Sequence, residues 1–299
     1  MKIKNVMIAG GGTLGSQIAW QTAFQGFNVT VYDAFEKGLE SAKKFHQQYA
    51  ELFKNQRGAS DKEIEDTMGR LSYTTDLADA VKDADLVSES IPETITIKKS
   101  FYNSLAVVAP EKTIFTTNSS SMVPSQFVDE TGRPAKFLAL HFANGIWDAN
   151  IGEVMGHPAT DKAVFDEVVE FARAIGMVPI IIKKEHPGYV INSLLIPLLA
   201  AASGLLATGV SDHESIDKTW MISFGTDKGP FAVMDMVGLE TVYHVFAGLA
   251  EQPKYKDLAD LAAFIKVNYL DKNRLGVKTG LGFYKYPNPA YSDSNFLIK

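Results

Sequence analysis

The sequence predicts an α/β protein in which a doubly wound, mostly parallel sheet is followed by an all-α domain. Short β-rich runs alternate with helical stretches through roughly the first 180 residues, which is typical of βαβ units on a parallel sheet. After about residue 184 the β pattern stops and long helical patterns take over. We therefore predict two domains, 1–184 and 185–299, with the boundary in the polar segment before Gly188.

The predicted strands are the β-rich runs at 3–9, 28–32, 86–91, 113–117, 137–142 and 178–182. Helical patterns lie near 14–26, 36–54, 61–69, 94–108 and 160–175 in the first domain. Those of the second domain lie near 188–208, 212–223, 239–249 and 256–271. Ser60 and Glu63 have the S-x-x-E spacing of a capping box, which predicts a helix that begins at Asp61.

Composition excludes several classes of protein. The 299 residues contain no cysteine, so disulfide frameworks, thiolate zinc sites, iron–sulfur clusters and thiol nucleophiles are excluded. With 29 Lys and Arg against 35 Asp and Glu, the net charge is −6, and no basic block is present. We therefore expect neither a nucleic-acid partner nor binding to an anionic membrane.

The sequence favours a cytoplasmic protein without a membrane span. It enters a β-rich run at once, which leaves no room for a secretory leader. The stretch from Gly188 to Ser211 is uncharged and long enough to cross a bilayer. Because it contains Asn192 and Pro197, however, we interpret it as a core or subunit-interface helix.

A glycine-rich segment follows the first predicted strand and opens the first helix. It fits G-x-G-x-x-G, and its residues Gly10, Gly12, Thr13, Leu14 and Gly15 are the first candidates for cofactor binding. The first glycine permits the tight turn, the second lets the backbone approach a pyrophosphate, and the third allows close helix–strand packing. The helix N-terminus also favours an anion. The segment therefore predicts a dinucleotide cofactor on a Rossmann-type sheet.

Asp33 favours NAD among these cofactors. It ends the second predicted strand 18 residues after Gly15, near the spacing at which a carboxylate meets the ribose 2′-hydroxyl. A carboxylate repels a 2′-phosphate, and the following Ala34 and Phe35 supply no arginine to compensate. NAD is thus predicted over NADP, while FAD stays open on this local pattern.

The proton carrier of such an oxidoreductase is sought among the histidines, because no tyrosine has a lysine four positions later and zinc-binding cysteines are absent. His141 stands at the end of an apolar strand, where an imidazole can exchange a proton with a substrate hydroxyl. Glu153 follows 12 residues later and could orient the ring, or it could be a solvated turn residue. Ser119, Ser120 and Ser121 follow another strand and either reach the same crevice or cap a helix.

A series of motifs in one order resembles the 3-hydroxyacyl-CoA dehydrogenase family over residues 10–284. The series consists of Gly10-x-Gly12-x-x-Gly15, Asp33, Asn118-Ser119-Ser120-Ser121, His141-Phe142, Glu153-Val154, Pro187-Gly188-Tyr189-Val190-Ile191-Asn192, Gly229-Pro230-Phe231, Asp235 with Val237-Gly238-Leu239, and Gly280-Leu281-Gly282-Phe283-Tyr284.

The resemblance implies a Rossmann domain and a helical C-terminal domain that forms most of a homodimer interface. It also implies that His141 acts as acid and base, that Glu153 orients it, and that Ser120 and Asn192 hold the reacting oxygen. The cofactor-contacting positions that match are Glu93, Lys98, Asn118 and Asn144. For Glu93 and Lys98, solvated charges at a helix start are the alternative.

Two departures from the family pattern concern the substrate. Family members usually continue His-Phe as Phe-Asn-Pro, whereas this chain has Ala143, Asn144 and Gly145, followed by Trp147. In this segment it is more similar to the diketoreductases, a branch that reduces ketones on small acids and esters without CoA. The region between Lys54 and Lys62 is also short for the helical arm that helps hold CoA in longer relatives.

We therefore predict a short 3-oxo or 3-hydroxy substrate, roughly four to six carbons long, with CoA helpful but not obligatory. A buried Trp147 ring would leave less room for a long acyl chain; alternatively, Trp147 only packs the core of an ordinary short-chain 3-hydroxyacyl-CoA enzyme. A dehydrogenase of free 3-hydroxy (sugar) acids and a non-catalytic NAD-binding protein are further alternatives. The joint presence of Ser120, His141, Glu153 and Asn192 argues against lost catalysis.

Overall fold

The first part of the chain is built on one twisted sheet with helices on both faces. The computed structural model describes residues 2–298, which divide into one unit that ends at Val190 and a second that begins at Ile191. The boundary predicted at 184/185 lies a few residues before the end of the first unit. The second unit is helical, as the sequence pattern predicts.

Within the described residues the sheet has eight strands in the order β3-β2-β1-β4-β5-β6-β7-β8. Their bounds are Asn5–Ala9 (β1), Asn28–Tyr32 (β2), Leu71–Thr74 (β3), Leu86–Glu89 (β4), Ile114–Thr117 (β5), Phe137–Phe142 (β6), Ile151–Met155 (β7) and Val178–Ile182 (β8). All neighbouring strands are parallel except β6 and β7. The strand order reverses beside β1, and a crevice forms at such a point outside the carboxyl ends of the strands.

Two of these strands are not predicted by the sequence pattern. The strand β3 is a short, half-buried edge strand and lacks the continuous apolar run of a buried strand. The strand β7 contains Gly152 and Glu153, two residue types that are depleted in strands. It is nevertheless almost fully buried, because it pairs with β6 on one side and β8 on the other.

The helices of the first unit lie close to their predicted positions. They are Thr13–Phe24 (α1), Glu36–Arg57 (α2), Asp61–Gly69 (α3), Leu77–Val81 (α4), Ile95–Val108 (α5), Val128–Thr131 (α6) and Lys162–Ala174 (α7). The capping box is confirmed: Ser60 N–H donates to Glu63 Oε2 at 2.8 Å, and Glu63 N–H donates to Ser60 Oγ at 3.3 Å. The short helices α4 and α6 were not predicted, since one turn carries too little periodicity.

Alternate side chains of the central strands enter two apolar layers on opposite faces of the sheet. On β1, Ile8 belongs to the layer that contains Ile18 and Leu138, whereas Met7 belongs to the layer that contains Tyr102 and Phe115. Both layers are fully buried at these positions. The carboxyl ends of the parallel strands are thereby held on one rigid edge.

The second unit contains Ile191–Ala207 (α8), His213–Phe224 (α9), Pro230–Val237 (α10), Leu239–Ala250 (α11) and Leu258–Asn268 (α12). Of these, α10 was not predicted. Among the described residues no single helix meets the length and hydropathy of a membrane span; α10 and α11 meet them only as a pair that is bent by 98°.

Two buried carboxylates of the second unit, Asp217 and Asp235, account for the motifs Gly229-Pro230-Phe231 and Gly280-Leu281-Gly282-Phe283-Tyr284, because each carboxylate binds backbone N–H groups of one motif or of the residue that follows it. Asp217 accepts hydrogen bonds from the N–H groups of Phe231 and Ala232 in the first turn of α10. Asp235 accepts bonds from the N–H groups of Phe283 and Tyr284 at 2.8 Å each. A Cβ atom on the neighbouring Gly282 would lie 1.9 Å from Asp235 Oδ1, so that position requires glycine. These motifs stabilise the domain.

The buried His46 of α2 makes the stability of the first unit sensitive to acid. Its Nε2 donates to Ser16 O at 3.0 Å and its Nδ1 accepts from the Tyr73 hydroxyl at 2.6 Å, so the ring is neutral. Burial lowers the pKa of His46 to about 4, although the bond to Ser16 opposes this shift.

Because this folded-state pKa lies below the unfolded value, the stability is fully present above the unfolded pKa and is lost as pH falls toward the folded one. From about pH 7.5 to about pH 5, we expect the free energy of unfolding to fall by about 2 kcal/mol more in the wild type than in a His46→Gln variant. Urea unfolding at the two pH values measures the difference. Equal pH dependence of the two proteins would contradict this assignment.

Candidate active site

The glycine loop between β1 and α1 leaves room for a ligand at one position and none at two others. Gly10 has φ +111°, and a Cβ atom on it would lie 2.5 Å from Ser90 O. A Cβ atom on Gly15 would lie 2.1 Å from Gly10 O. On Gly12 it would meet nothing within 4 Å, and no side chain caps the helix that starts there. The turn therefore faces open space at Gly12, where the helix begins, and leaves room there for a pyrophosphate.

A cleft with a volume of about 180 Å³ opens in front of this turn, at the carboxyl ends of β1, β4 and β5. It gathers most of the cofactor-binding residues that the sequence predicts. Its lining consists of Gly12, Thr13, Leu14, Gly15, Ser90, Ile91, Glu93, Lys98 and Asn118. Within the described part of the chain, no group of three or more His, Asp or Glu side chains could hold a metal ion.

Asp33 is fixed at the end of β2 by two backbone donors. Its Oδ2 accepts from Gly11 N–H at 2.8 Å, and its Oδ1 accepts from Phe35 N–H at 3.0 Å. Helix α2 packs closely on the carboxylate, since a Cβ atom on Gly38 would lie 2.2 Å from Asp33 Cγ. A carboxylate has about four lone-pair sites, so Asp33 can still accept ribose hydroxyls. The glycine turn and this acid together fit an NAD molecule.

Replacing Asp33 with alanine tests this fit. We expect Asp33→Ala to narrow the preference for NADH over NADPH, chiefly by weakening NADH, because the acceptor for the ribose hydroxyls is lost. Fluorescence titration with both cofactors gives the two dissociation constants. A wild type that binds NADH and NADPH equally well would contradict the ribose role of Asp33.

One lysine and two glutamates form a network beside the cleft, and two of these three side chains are buried. Lys98 Nζ lies 2.5 Å from Glu89 Oε1 and 3.2 Å from Glu93 Oε2. The Lys98 side chain is only 1% exposed, so its interpretation as a solvated charge at a helix start is wrong. Glu89 is fully buried and was not predicted, because a glutamate at a strand end carries no distinguishing sequence signal.

Glu93 holds the serine segment that follows β5. Its Oε1 accepts four hydrogen bonds, from Ser119 Oγ (2.6 Å), Ser120 N–H (3.0 Å), Ser121 N–H (3.0 Å) and Ser121 Oγ (2.8 Å). Burial alone would raise the pKa of Glu93, but the charge of Lys98 and the bonds from Ser119 and Ser121 outweigh it and lower that pKa. The backbone of Ser120 is thus held at the edge of the cofactor cleft.

The two predicted asparagines of the first unit lie in different surroundings. Asn118 is almost buried; its Oδ1 accepts from Phe142 N–H at 2.9 Å and its Nδ2 donates to Ser90 Oγ at 3.2 Å. It therefore ties β5 to β6 in the wall of the cleft. Asn144 is exposed and is not part of the cleft lining.

His141 and Glu153 face each other across the antiparallel pair of β6 and β7. His141 Nδ1 lies 2.8 Å from Glu153 Oε2, and Glu153 Oε1 accepts from Val190 N–H at 2.8 Å. The histidine is 5% exposed and the glutamate is fully buried. The interpretation of Glu153 as a solvated turn residue is thus wrong, and the pair has the geometry of an acid/base histidine with its orienting carboxylate.

Tyr189 covers the imidazole and was not predicted from the sequence. Its ring centroid lies 4.7 Å from that of His141, with 34° between the planes. The tyrosine has φ +55°, a conformation that is rare outside glycine. Asn192, the fourth predicted catalytic residue, stands in the first turn of α8, at the start of the second unit.

Trp147 packs against helix α2. Its ring lies edge-on to the rings of Tyr49 and Phe53, with ring centroids 4.8 Å and 5.5 Å away. Its backbone carbonyl accepts a hydrogen bond from Arg57 Nη1 at 3.1 Å. Asp148 pairs with the same guanidinium. The segment after His141 is thereby anchored on α2, where the partly buried tryptophan packs against the core.

Comparison with known proteins gives a consistent result. Residues 5–186 match the family described as 3-hydroxyacyl-CoA dehydrogenase, NAD binding domain, and residues 188–286 match its C-terminal domain. The mitochondrial hydroxyacyl-coenzyme A dehydrogenase of Rattus norvegicus is 34% identical over 95% of this chain and 91% of its own length. A probable 3-hydroxybutyryl-CoA dehydrogenase of Bacillus subtilis is 31% identical over 96% and 98%. The solved structure of a diketoreductase is 52% identical, with a TM-score of 0.90 over 96% of this chain and all of that one.

Proposed function

The chain belongs to the 3-hydroxyacyl-CoA dehydrogenase family, and from this premise we propose that it interconverts a 3-hydroxyacyl and a 3-oxoacyl compound with NAD as the hydride carrier. The observation that carries the proposal is the buried pair of His141 and Glu153 on the sheet whose glycine cleft fits the dinucleotide. NAD, when bound, takes up the hydride from the alcohol carbon or returns it to the carbonyl.

The protein's own residues handle the proton. Glu153 accepts a hydrogen bond from Nδ1–H of His141, which leaves Nε2 of the neutral ring as the base. In the oxidative direction Nε2 takes the proton of the substrate hydroxyl, and the carboxylate stabilises the resulting imidazolium. In reduction Nε2 returns this proton to the oxygen. Ser120 and Asn192 would hold that oxygen, as the family pattern implies.

The conformation of Gly145 favours a second candidate substrate class, the CoA-free keto esters and acids. Gly145 has φ +74°, whereas the proline that relatives usually carry here fixes φ near −65°. The segment after His141 therefore follows a path that proline forbids. The 52% identity to a diketoreductase points in the same direction. The proposed substrate is a short 3-oxo compound for which CoA is helpful but not obligatory.

The test is a panel of carbonyl compounds with NADH oxidation as the readout. It compares acetoacetyl-CoA, ethyl acetoacetate, a 3,5-dioxo ester and free 3-oxo acids. Reduction of the esters and the thioester supports the proposal, and reduction of the thioester alone leaves the ordinary family activity. A protein that binds NADH and reduces none of them is the non-catalytic alternative.

The proposal includes a homodimer that forms through the second unit. Large apolar side chains of this unit are exposed, among them Leu194 at 71%, Phe224 at 65% and Ile222 at 61%. Exposed apolar surface of this kind favours association with a partner. We expect light scattering at micromolar concentration to give twice the mass of one chain, and a stable monomer would contradict the dimer.

A cytoplasmic location without membrane or nucleic-acid partners is also part of the proposal. The net charge of −6 supports the absence of such partners, because an acidic protein is repelled by anionic lipids and phosphate backbones. Cell fractionation of the full chain, with the membrane pellet and supernatant probed side by side, tests the location.

A further inference from the structure

Glu89 is a buried carboxylate for which the proposed reaction has no use. It ends β4, directly before the cleft residues Ser90 and Ile91, and its side chain is fully buried. Its Oε1 accepts from Lys98 Nζ at 2.5 Å and from Ile91 N–H at 3.0 Å. The cleft lining includes Lys98 but not Glu89, so the carboxylate lies behind the cofactor site.

The second carboxylate oxygen of Glu89 also accepts two hydrogen bonds. Oε2 accepts from the Tyr102 hydroxyl at 3.0 Å and from Thr117 Oγ1 at 2.8 Å. A buried charge is tolerated only where it is paired and hydrogen-bonded, and this one has four donors, two from α5, one from β5 and one from the loop after β4. Such a carboxylate has little freedom to move, and neither has the ammonium group that is bound to it.

Lys98 is paired with two carboxylates, Glu89 and Glu93, and these differ in their surroundings. Glu89 is rigid and buried, whereas the side chain of Glu93 is 37% exposed and lies 3.2 Å from Nζ. Without the charge of Glu89, the ammonium group would be drawn toward Glu93 and solvent. Its place in the wall of the cleft therefore depends on Glu89.

We infer that Glu89 is a positioning residue for cofactor binding, which holds the Lys98 ammonium group in the wall of the NAD cleft from behind. The inference rests on the proposed function only in taking that cleft as the NAD site. Glu89 acts through Lys98 and does not contact the cofactor itself.

The test is a double-mutant cycle on NADH binding, measured by fluorescence titration. We expect Glu89→Gln to raise the Kd for NADH about tenfold, which is about 1.4 kcal/mol, because the amide keeps the shape but not the charge. In a Lys98→Met background the same substitution should raise Kd less than about twofold, since the group that it positions is gone. An equal rise in both backgrounds, or no rise in the first, would overturn the inference.

Two further variants separate positioning from a general loss of structure. Tyr102→Phe removes one donor to Glu89 but leaves the ion pair, so its Kd should stay within about twofold of the wild type. Glu89→Asp keeps the charge with a shorter reach and should fall between wild type and Glu89→Gln; it also serves if the glutamine variant does not fold. A Kd for Glu89→Asp as weak as in Lys98→Met, at an unchanged unfolding temperature, would contradict a role of the charge. These experiments measure NADH binding and not turnover. If the protein reduced none of the carbonyl compounds of the panel, the binding result for Glu89 would therefore still hold.

Discussion

Replacing His141 with alanine should reduce kcat by about 10²–10⁴-fold, the usual contribution of a positioned acid or base. The reason is that Nε2 is the group placed to exchange the proton, while the buried Glu153 beside it has Oε2 directed at Nδ1. NADH binding should remain, because the cleft is lined by the glycine turn, by residues that follow β4 and β5, and by Lys98 of α5, and not by His141. Steady-state kinetics on the best substrate of the carbonyl panel, with NADH titration in parallel, measures both.

Glu153→Gln is the comparison for this variant. It keeps the shape of the side chain and removes the charge that stabilises the imidazolium, so activity should fall less steeply than in His141→Ala. A loss below about fivefold in His141→Ala would remove His141 from the catalytic role.

The second large effect is expected from Gly10→Ala, which should weaken NADH binding about tenfold or more and also lower the unfolding temperature. At φ +111° any side chain adds strain of about 1–3 kcal/mol. The new Cβ atom would also lie 2.5 Å from the backbone oxygen of Ser90, and such forced contacts cost about 1–3 kcal/mol. Since Ser90 lines the cofactor cleft, the displaced backbone changes the binding site directly.

Gly58→Ala is the matched control for backbone strain. Gly58 ends α2 with φ +70°, and a Cβ atom on it would meet nothing within 4 Å. The Gly58→Ala variant should therefore lose about 1 kcal/mol of unfolding free energy, because alanine is strained in the left-handed conformation, and it should bind NADH like the wild type. If Gly10→Ala bound NADH as tightly as the wild type, the turn would tolerate a side chain and the prediction would be wrong.

The sequence by itself determined the parts of this protein that depend on local patterns. The glycine turn, the end of β2 at Asp33 and the capping box at Ser60 all lie where the pattern places them, because each is set by residues that are close in the chain. The α/β class and the helical second half follow from hydrophobic periodicity. The short helices and the glutamate-containing strand β7 do not show this periodicity, so the sequence did not predict them.

Only the tertiary structure decided which charges are buried and what they face. The sequence gives no sign that Glu153 belongs to a strand, yet antiparallel pairing with β6 sets it opposite His141. In the same way the sequence gives no sign that Glu89 and Lys98 pair with each other, whereas β4 and α5 bury the two together. Burial and pairing of a charge depend on segments that are distant in the chain, so the same residue types are solvated in one fold and form the binding and catalytic network in another.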